Sequence, residues 1–250
     1  MTENRPLADR VAVVTGAAGG IGQAVCVDLA GRGAVVVAAD IRDLGETAGL
    51  LDGDPQAHRF PLLDVTSREE TVALAAQVEA ELGRCDVLVN NAARLESVSW
   101  DELDPALWRE VMAVNLDGPM LMCKAFVPLM RRGGWGRIIN VSSGSVMQPI
   151  RGSVAYRASK MGLIGFTRAL SAELGEDGIT VNAVCPSITD TPMATAGLRP
   201  EHITAMVARQ AVARIARPED ISGAIAMLIS SDSGWVTGQT ILANSGASFL

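Results

Sequence analysis

The sequence predicts a doubly wound α/β fold, with about seven parallel strands and helices on both faces of the sheet. Short β-branched runs recur along the chain and are apolar almost without interruption, as expected of strands buried on both faces. Segments with helical periodicity separate these runs. Because right-handed crossovers connect parallel strands, the alternation builds one sheet between two helical layers. The length of 250 residues fits a single domain, 1–250.

Five clear apolar runs and two weaker ones predict the strands. The clear runs are Val11–Thr15, Ala34–Ala39, Asp86–Val89, Arg137–Ser142 and Ile179–Val184, and the weaker ones are His58–Leu63 and Thr240–Ala243. Ser67 and Glu70 have the spacing of a capping box for a helix that reaches Leu82. Pro218 suits the first turn of a helix over Pro218–Ile229. The stretch from Ser187 to about residue 215 interrupts the alternation and is predicted to be a functional loop.

Composition argues against several classes of protein. The net charge is −7 and no run of Lys or Arg occurs, so we expect binding neither to nucleic acid nor to an anionic membrane surface. No apolar run reaches the ~20 residues needed to cross a bilayer, and the N-terminus lacks the apolar segment of a signal peptide. We therefore expect a cytoplasmic protein. The four cysteines are far apart and only two histidines occur, so we expect buried free thiols and no metal site.

A glycine-rich turn follows the first strand, in the segment TGAAGGIG at Thr15–Gly22. Glycines permit a tight turn and let the backbone approach a pyrophosphate, which the N-terminus of the following helix favours. Asp40 ends the second strand about twenty residues later, where a carboxylate can accept hydrogen bonds from ribose hydroxyls and repel a 2′-phosphate. This Rossmann-type arrangement predicts NAD rather than NADP as the cofactor. Arg42 lies close enough in sequence to offset part of the repulsion.

A second pattern places a phenol and an ammonium on one face of a predicted helix. Tyr156 and Lys160 are four residues apart, so their side chains are neighbours. The cation favours the phenolate and lowers the tyrosine pKa, which suits a general acid/base near neutral pH. Tyr156 is the only tyrosine, and Ser143 follows a buried strand from which it can reach the same reacting oxygen. A solvated helix pair is the alternative interpretation of the spacing alone.

Several motifs in a fixed order resemble the short-chain dehydrogenase/reductase family, from about Arg10 to Gly246. They are TGAAGGIG at Thr15–Gly22, NNAA at Asn90–Ala93, VNL around Asn115, INVSS at Ile139–Ser143, YRASK at Tyr156–Lys160, VNAVCPS at Val181–Ser187 and TGQ at Thr237–Gln239. The resemblance implies an oxidoreductase with a catalytic tetrad of Asn115, Ser143, Tyr156 and Lys160. It also implies cofactor contacts at Gly16, Gly20, Ile21, Gly22, Asp40, Ile41, Asp64, Val65, Asn91, Ala92, Pro186, Thr189 and Thr191, and at Tyr156 and Lys160.

The resemblance further implies a role for each member of the tetrad. Ser143 polarises the substrate oxygen and Tyr156 exchanges its proton. Lys160 holds the nicotinamide ribose and lowers the pKa of Tyr156, while Asn115 anchors a water that links Lys160 to solvent. The hydride chemistry belongs to the nicotinamide.

Three positions depart from the family pattern and bear on the substrate. Ala93 and Ser187 stand where glycine is usual, and Asn244-Ser245-Gly246 replaces Asp-Gly-Gly. Ser187 and the stretches GRCDVLVNNA, KAFVPLM and GWGRIINVSS look most like the 1-phenylethanol dehydrogenase branch, whose members handle aryl or hydrophobic secondary alcohols. From their positions after the matched motifs, the residues expected to line the substrate pocket are Arg94, Leu95, Ser143, Ser145, Val146, Met147, Ile150, Ser187, Met193 and Leu198.

The expected function is therefore NAD-dependent interconversion of a hydrophobic secondary alcohol and its ketone. One alternative is an NADPH-dependent 3-oxoacyl-carrier-protein reductase, which the same motifs would serve. The other is a catalytically idle dinucleotide sensor, which would be free to lose the tetrad. The apolar surface of the helices predicted at Ala106–Met130 and Val154–Leu174, together with the resemblance, predicts a homotetramer.

Overall fold

The computed structural model of the chain describes residues 6–51, 57–148, 150–195 and 200–249. In these ranges, six parallel strands form one sheet: β1 (Val11–Thr15), β2 (Val35–Ala39), β3 (Val87–Asn90), β4 (Gly136–Val141), β5 (Ile179–Val184) and β6 (Thr240–Ile241). Their order across the sheet is β2-β1-β3-β4-β5-β6. The chain moves outward from β1 to β2 and then returns past β1 to β3. This reversal opens a crevice at the carboxyl ends of β1 and β3.

Helices cover both faces of the sheet, as predicted. Those in the described ranges are α1 (Gly20–Gly31), α2 (Gly45–Leu50), α3 (Arg68–Leu82), α4 (Pro105–Met112), α5 (Gly118–Gly133), α6 (Val154–Leu174), α7 (Pro192–Thr195), α8 (Pro200–Val207) and α9 (Pro218–Ile229). On one face, Ala12 and Val14 of β1 belong to the core cluster that contains residues of α1 and α9. On the other face, Val11 and Val13 belong to the cluster that contains residues of α3, α5 and α6.

The segment His58–Leu63 does not form the seventh strand that its sequence predicts. Its backbone runs beside β2, because Arg59 accepts and donates hydrogen bonds there and the N–H of Leu63 donates to the carbonyl of Asp40 at 2.9 Å. Only isolated bridges result, at Arg59 and Leu62. Pro61 lies between them and has no N–H to donate to a ladder. The prediction of a strand at His58–Leu63 is therefore wrong. In the described ranges the sheet has six strands instead of about seven.

Two predicted helices differ from expectation in detail. The hydroxyl of Ser67 accepts the N–H of Glu70 at 3.2 Å, as in a capping box, but the carboxylate of Glu70 binds the N–H of Asp64 at 2.8 Å rather than that of Ser67. The continuous helix expected over Ala106–Met130 is α4 and α5 joined by a π-helical segment, Ala113–Asp117. A π-helical segment widens the turn and often marks a functional position.

All four cysteines are buried and free, as predicted. Within the described parts of the chain, no helix combines the length and the apolar character that a bilayer crossing requires.

Candidate active site

The turn between β1 and α1 brings backbone atoms closer together than side chains would allow. Gly16 and Gly20 have φ angles of 67° and 56°, in the left-handed region that favours glycine. A Cβ on Gly22 would lie 2.1 Å from the carbonyl oxygen of Gly16, so only glycine fits there. A Cβ on Gly19 would meet no atom within 4 Å, because Gly19 lines an open cleft. The first N–H groups of α1 therefore lie beside space that a pyrophosphate can enter.

Asp40, just after β2, connects the glycine turn to the segment that follows the strand. Its carboxylate accepts the N–H of Ala18 at 2.9 Å and the N–H of Arg42 at 2.9 Å. The guanidinium of Arg42 lies 3.3 Å from the same carboxylate and is 64% exposed, whereas Asp40 is 6% exposed. Asp40 also lines the cleft, and a carboxylate has about four lone-pair sites. The N–H groups of Ala18 and Arg42 take two of these sites, and the Arg42 guanidinium takes the other two with longer bonds of 3.3 and 3.4 Å. A ribose hydroxyl would therefore bind Asp40 in place of this guanidinium.

The cleft has a volume of about 1170 Å³ and follows the carboxyl ends of β1, β2 and β3. Asp64 on its wall accepts the N–H and the hydroxyl of Thr66 at 2.8 and 2.7 Å, so it also shapes its own turn. The glycine turn, the acidic group after β2 and the size of the cleft fit a nicotinamide dinucleotide. The predicted cofactor residues that line the cleft are Gly16, Gly20, Ile21, Asp40, Ile41, Asp64, Val65, Asn91, Ala92 and Thr191.

Three other predicted cofactor residues make contacts within the protein. Gly22 approaches the Gly16 carbonyl in the turn. The carbonyl of Pro186 accepts the N–H of Gly144 at 2.7 Å. The hydroxyl of Thr189 donates to the carbonyl of Ser187 at 3.0 Å, which holds the start of the 187–215 loop. Their contacts with a cofactor remain predictions.

Ser143, Tyr156 and Lys160 come together where β4 ends beside α6. The hydroxyl of Ser143 is 2.9 Å from that of Ser145 and lies close enough to the phenol of Tyr156, in the first turn of α6, to influence its ionisation. Lys160 follows one turn later, with its Nζ 5.8 Å from the centroid of the tyrosine ring. Lys160 is 2% exposed, and its Nζ donates to the carbonyl of Val141 at 2.8 Å. A hydroxyl, a phenol and an amine therefore occupy one corner at the carboxyl edge of the sheet.

The electrostatics of this corner differ from those expected of a solvated tyrosine–lysine pair. Burial raises the pKa of Tyr156; the nearby hydroxyl of Ser143 opposes the rise, and the negative charge of Glu96 adds to it. Burial lowers the pKa of Lys160 to about 8. Burial therefore disfavours both the phenolate of Tyr156 and the ammonium of Lys160. At Tyr156 it outweighs the lowering of the pKa that the four-residue spacing predicts. The protonated phenol is the favoured form near neutral pH.

Asn115 lies in the π-helical segment and joins two elements of the site. Its Oδ1 accepts the N–H of Arg94 at 2.8 Å, and its Nδ2 donates to the Arg94 carbonyl at 2.9 Å and to the hydroxyl of Ser159 at 3.0 Å. The residue is fully buried. Its side chain thereby connects the loop after β3 to α6, next to Lys160. The water-anchoring role implied for Asn115 remains a prediction.

The apolar residues predicted to line the substrate pocket fall into two groups. Leu95, Ile150 and Met193 are 43%, 42% and 50% exposed, and Met193 lines the cleft. Val146 and Met147 are instead partly buried against the small core cluster of Ile164, Ala183 and Cys185. The first group supplies accessible apolar surface and the second contributes to packing. Leu198 lies outside the described residues.

The polar residues predicted for the same pocket all have protein partners. The guanidinium of Arg94 lies 2.8 Å from the carboxylate of Glu110. The hydroxyl of Ser145 is 2.9 Å from that of Ser143, and the hydroxyl of Ser187 donates to the side-chain oxygen of Gln210 at 2.8 Å. These bonds fix the groups that would surround a substrate.

Reasoning from the sequence missed two residues of the site. The hydroxyl of Thr15 accepts the N–H groups of Asn91 and Ala92, each at 3.1 Å, and so ties the glycine turn to the loop after β3. Thr15 begins the TGAAGGIG motif, so a signal was present. The carboxylate of Glu96 accepts the N–H of Tyr156. No motif marks Glu96.

Comparison with known proteins gives full-length matches. Residues 16–248 match a family model described as enoyl-(acyl carrier protein) reductase. The chain is 41% identical over 244 residues to cis-4-hydroxycyclohexanecarboxylate dehydrogenase of Sinomonas cyclohexanicum, covering 96% of each protein. It is 38% identical over 244 residues to acetoacetyl-CoA reductase of Rhizobium meliloti, covering 96% of this chain and 99% of that protein. The crystal structure of a protein described as a short-chain alcohol dehydrogenase of Sinorhizobium meliloti 1021 matches with a TM-score of 0.90 and 32% identity, over 98% of both chains.

These matches extend over the glycine turn, the cleft and the corner formed by Ser143, Tyr156 and Lys160. Two relatives above 30% identity are covered almost from end to end, and a solved structure shares the whole fold. The chain therefore belongs to the short-chain dehydrogenase/reductase family of oxidoreductases, which use nicotinamide dinucleotides.

Proposed function

We propose that this oxidoreductase uses NAD to interconvert a hydrophobic secondary alcohol and its ketone. The observation that carries the proposal is the grouping of Ser143, Tyr156 and Lys160, at the same edge of the sheet as a cleft whose wall includes Asp40. Ser143, Tyr156 and Lys160 together can exchange a proton with an alcohol oxygen. The carboxylate of Asp40 favours a ribose with free hydroxyls over one with a 2′-phosphate.

Each side chain of the corner has one task in this reaction. Ser143 donates a hydrogen bond to the substrate oxygen and so stabilises charge that develops there. Tyr156 gives its proton to that oxygen during ketone reduction and takes it back during alcohol oxidation. Lys160, held at the Val141 carbonyl, supplies positive charge near the phenolate when it is protonated. A bound nicotinamide supplies the hydride acceptor or donor.

The substrate class rests on the accessible side chains at the site. Leu95, Ile150 and Met193 offer apolar surface, and the sequence stretches that resemble the 1-phenylethanol dehydrogenase branch agree with an aryl or alicyclic alcohol. The ion pair of Arg94 with Glu110 is about half exposed, at 49% and 56%, so it does not decide whether the substrate carries a charge. The relative named for a hydroxycyclohexane carboxylate supports a ring-bearing secondary alcohol.

Reduction of a 3-oxoacyl thioester is the second candidate. The relative named acetoacetyl-CoA reductase supports it, as does the raised pKa of Tyr156, which favours the proton-donating form. An NADPH-dependent reductase of this kind would have to place a 2′-phosphate near Asp40. For that reason we favour the NAD-dependent alcohol reaction.

We also propose a homotetramer, supported by the exposed apolar side chains of Val154 and Met161 on α6. A monomeric mass measured by light scattering would contradict this proposal.

A kinetic assay with matched carboxylate variants tests the cofactor and the substrate class together. We expect kcat/KM for oxidation of 1-phenylethanol and substituted cyclohexanols to be higher with NAD than with NADP. Asp40→Asn removes the charge and should move the preference roughly tenfold toward NADP, since like charges placed together are costly. Asp43→Asn is the matched control, because Asp43 is exposed and binds only the nearby Gly45 N–H at 3.0 Å among the hydrogen bonds described. Its cofactor preference should match that of the unaltered chain.

Two results would reject the proposal. One is a strong preference of the unaltered chain for NADP, which would mean that Asp40 does not select the cofactor. The other is turnover of acetoacetyl-CoA without turnover of any secondary alcohol or simple ketone, which would establish the second candidate.

A further inference from the structure

A buried carboxylate from a distant segment caps the helix that carries Tyr156. Tyr156 is the third residue of α6, so its backbone N–H has no acceptor within the helix. Both oxygens of Glu96 accept this N–H, at 2.9 and 3.0 Å, and Glu96 is 5% exposed. Among the described contacts, Ser153 in the N-cap position provides no side-chain cap, and its hydroxyl instead accepts Nη2 of Arg157 at 2.8 Å. Glu96 therefore performs the task that the N-cap side chain usually performs.

The segment that carries Glu96 is fastened on both sides of it. Before Glu96, the side chain of Asn115 binds both the N–H and the carbonyl of Arg94. After it, the N–H of Val98 donates to the carbonyl of Gly152 at 3.1 Å, just before α6 begins. The carboxylate is consequently held at the positive end of the helix dipole, where a negative charge is stabilised.

The charge of Glu96 also acts on the phenol of the residue that it caps. Burial is the largest cause that raises the pKa of Tyr156, and the charges of Glu96 and Cys185 add to it. Arg157 carries a positive charge that interacts with Glu96. The titratable groups that surround the phenol and the carboxylate are Lys160 and Arg157 from α6, Cys185 from the segment after β5, and Glu96 itself from the loop after β3.

We infer that Glu96 is a positioning residue for Tyr156 with two separable effects: its oxygens fix the first turn of α6, and its charge opposes ionisation of the phenol. The inference rests on the proposed role of Tyr156 as the acid/base. Alcohol oxidation begins from the phenolate, whereas ketone reduction begins from the phenol. The charge of Glu96 therefore moves the pH dependence of oxidation toward higher pH and favours the form that reduces ketones.

Two substitutions at Glu96 separate its oxygens from its charge. Glu96→Gln keeps an oxygen that can accept the Tyr156 N–H but removes the negative charge. Glu96→Ala removes both. Asp104→Asn is the matched control, because Asp104 is an exposed carboxylate that caps α4 through the N–H groups of Ala106 and Leu107, at 2.7 and 2.8 Å.

The single tyrosine allows its ionisation to be followed without any measurement of activity. The full chain labelled with ¹³C at the tyrosine Cζ gives one resonance, whose chemical shift reports the phenol alone. We expect this resonance in Glu96→Gln to titrate at lower pH than in the unaltered chain, and the pH profile of kcat for alcohol oxidation to shift in the same direction. Asp104→Asn should shift neither.

The alanine variant measures the positioning effect. We expect Glu96→Ala to lose roughly tenfold or more in kcat, because a displaced first turn misplaces the phenol, while KM for the cofactor changes little. Glu96→Gln should keep most of the maximal kcat. Equal maximal rates in both variants would show that the oxygens do not position Tyr156.

The outcomes separate this inference from the proposed function. An unchanged tyrosine titration in Glu96→Gln would overturn the charge effect even if the unaltered enzyme oxidises alcohols as proposed. If the titration shifts but no alcohol or ketone is turned over, the proposed function fails and the effect of Glu96 on Tyr156 stands. Should Glu96→Ala not fold, comparing maximal kcat in Glu96→Gln and Glu96→Leu tests positioning, because leucine fills the space but accepts no N–H.

Discussion

At the cofactor end of the site the backbone makes the shape, whereas at the catalytic end side chains from separate segments make it. The turn at Thr15–Gly22 depends on positive φ angles and on a close approach that excludes a Cβ. The corner around Tyr156 depends on Ser143 after β4 and on Glu96 after β3. The positive φ angles and the close approach of the glycine turn lie within eight consecutive residues, whereas the corner around Tyr156 exists only once the sheet has formed. The two ends should therefore respond differently to substitution.

The largest effect is expected at Tyr156. Tyr156→Phe keeps the ring but removes the proton that the proposed reaction exchanges, so we expect kcat to fall by about 10²–10⁴-fold. Affinity for NAD should stay close to that of the unaltered chain, because the glycine turn and Asp40 are unchanged. Steady-state kinetics and calorimetric titration with NAD measure the two quantities. Loss of NAD binding together with turnover would show that the two ends cannot be separated.

A smaller effect, on NAD affinity rather than on kcat, is expected at Gly22. In Gly22→Ala the added Cβ would lie 2.1 Å from the Gly16 carbonyl oxygen, so the turn must shift. Overpacking of this kind costs about 1–3 kcal/mol, and we expect NAD to bind roughly 10–100-fold more weakly. Gly31→Ala, at the other end of α1, is the control, since its Cβ would meet no atom within 4 Å.

The ¹³C titration of Tyr156 completes the test of Gly22. It should be the same in Gly22→Ala, Gly31→Ala and the unaltered chain, because the substitution alters the cofactor end alone. If Gly22→Ala binds NAD normally, the turn is not the site of the pyrophosphate.

The same contrast explains which features could be predicted from the sequence. The glycine turn and the Ser67 cap could be predicted, because the residues that form each of them lie close together in the sequence. The apolar character of His58–Leu63 predicts a strand that does not form, because Pro61 has no N–H to donate and breaks the ladder.

Contacts between distant segments could not be predicted. Glu96 binds an N–H that lies 60 residues along the chain, and nothing in its own neighbourhood indicates that partner. Val146 and Met147 lie in a short helical turn, Gly144–Met147, whose orientation toward the core depends on β5 and α6. The pKa of Tyr156 follows the same rule, because burial, which spacing does not reveal, decides its direction.

The smallest effect is expected at Ser187, at the start of the 187–215 loop. Its hydroxyl donates to the side-chain oxygen of Gln210, which is 6% exposed, and Ser187→Ala removes that donor. A hydrogen bond of this kind contributes about 1 kcal/mol, so we expect KM for the alcohol to rise up to about fivefold. Thr204→Ala is the control, because the Thr204 hydroxyl binds the Pro200 carbonyl within its own helix, at 3.0 Å. Steady-state kinetics measure KM in both variants.

The 187–215 loop shows whether the two ends of the site are independent, because it contributes residues to both. Thr191 and Met193 of the loop line the cofactor cleft, whereas Ser187 and Gln210 hold the part that was predicted to contact substrate. A rise confined to KM for the alcohol would mean that the loop is held by side-chain contacts on which the glycine turn does not depend. An equal loss of NAD affinity would mean that the loop couples the two ends. In that case Thr191, which lies in this loop and lines the cleft, would connect the side-chain contacts of the loop to NAD binding.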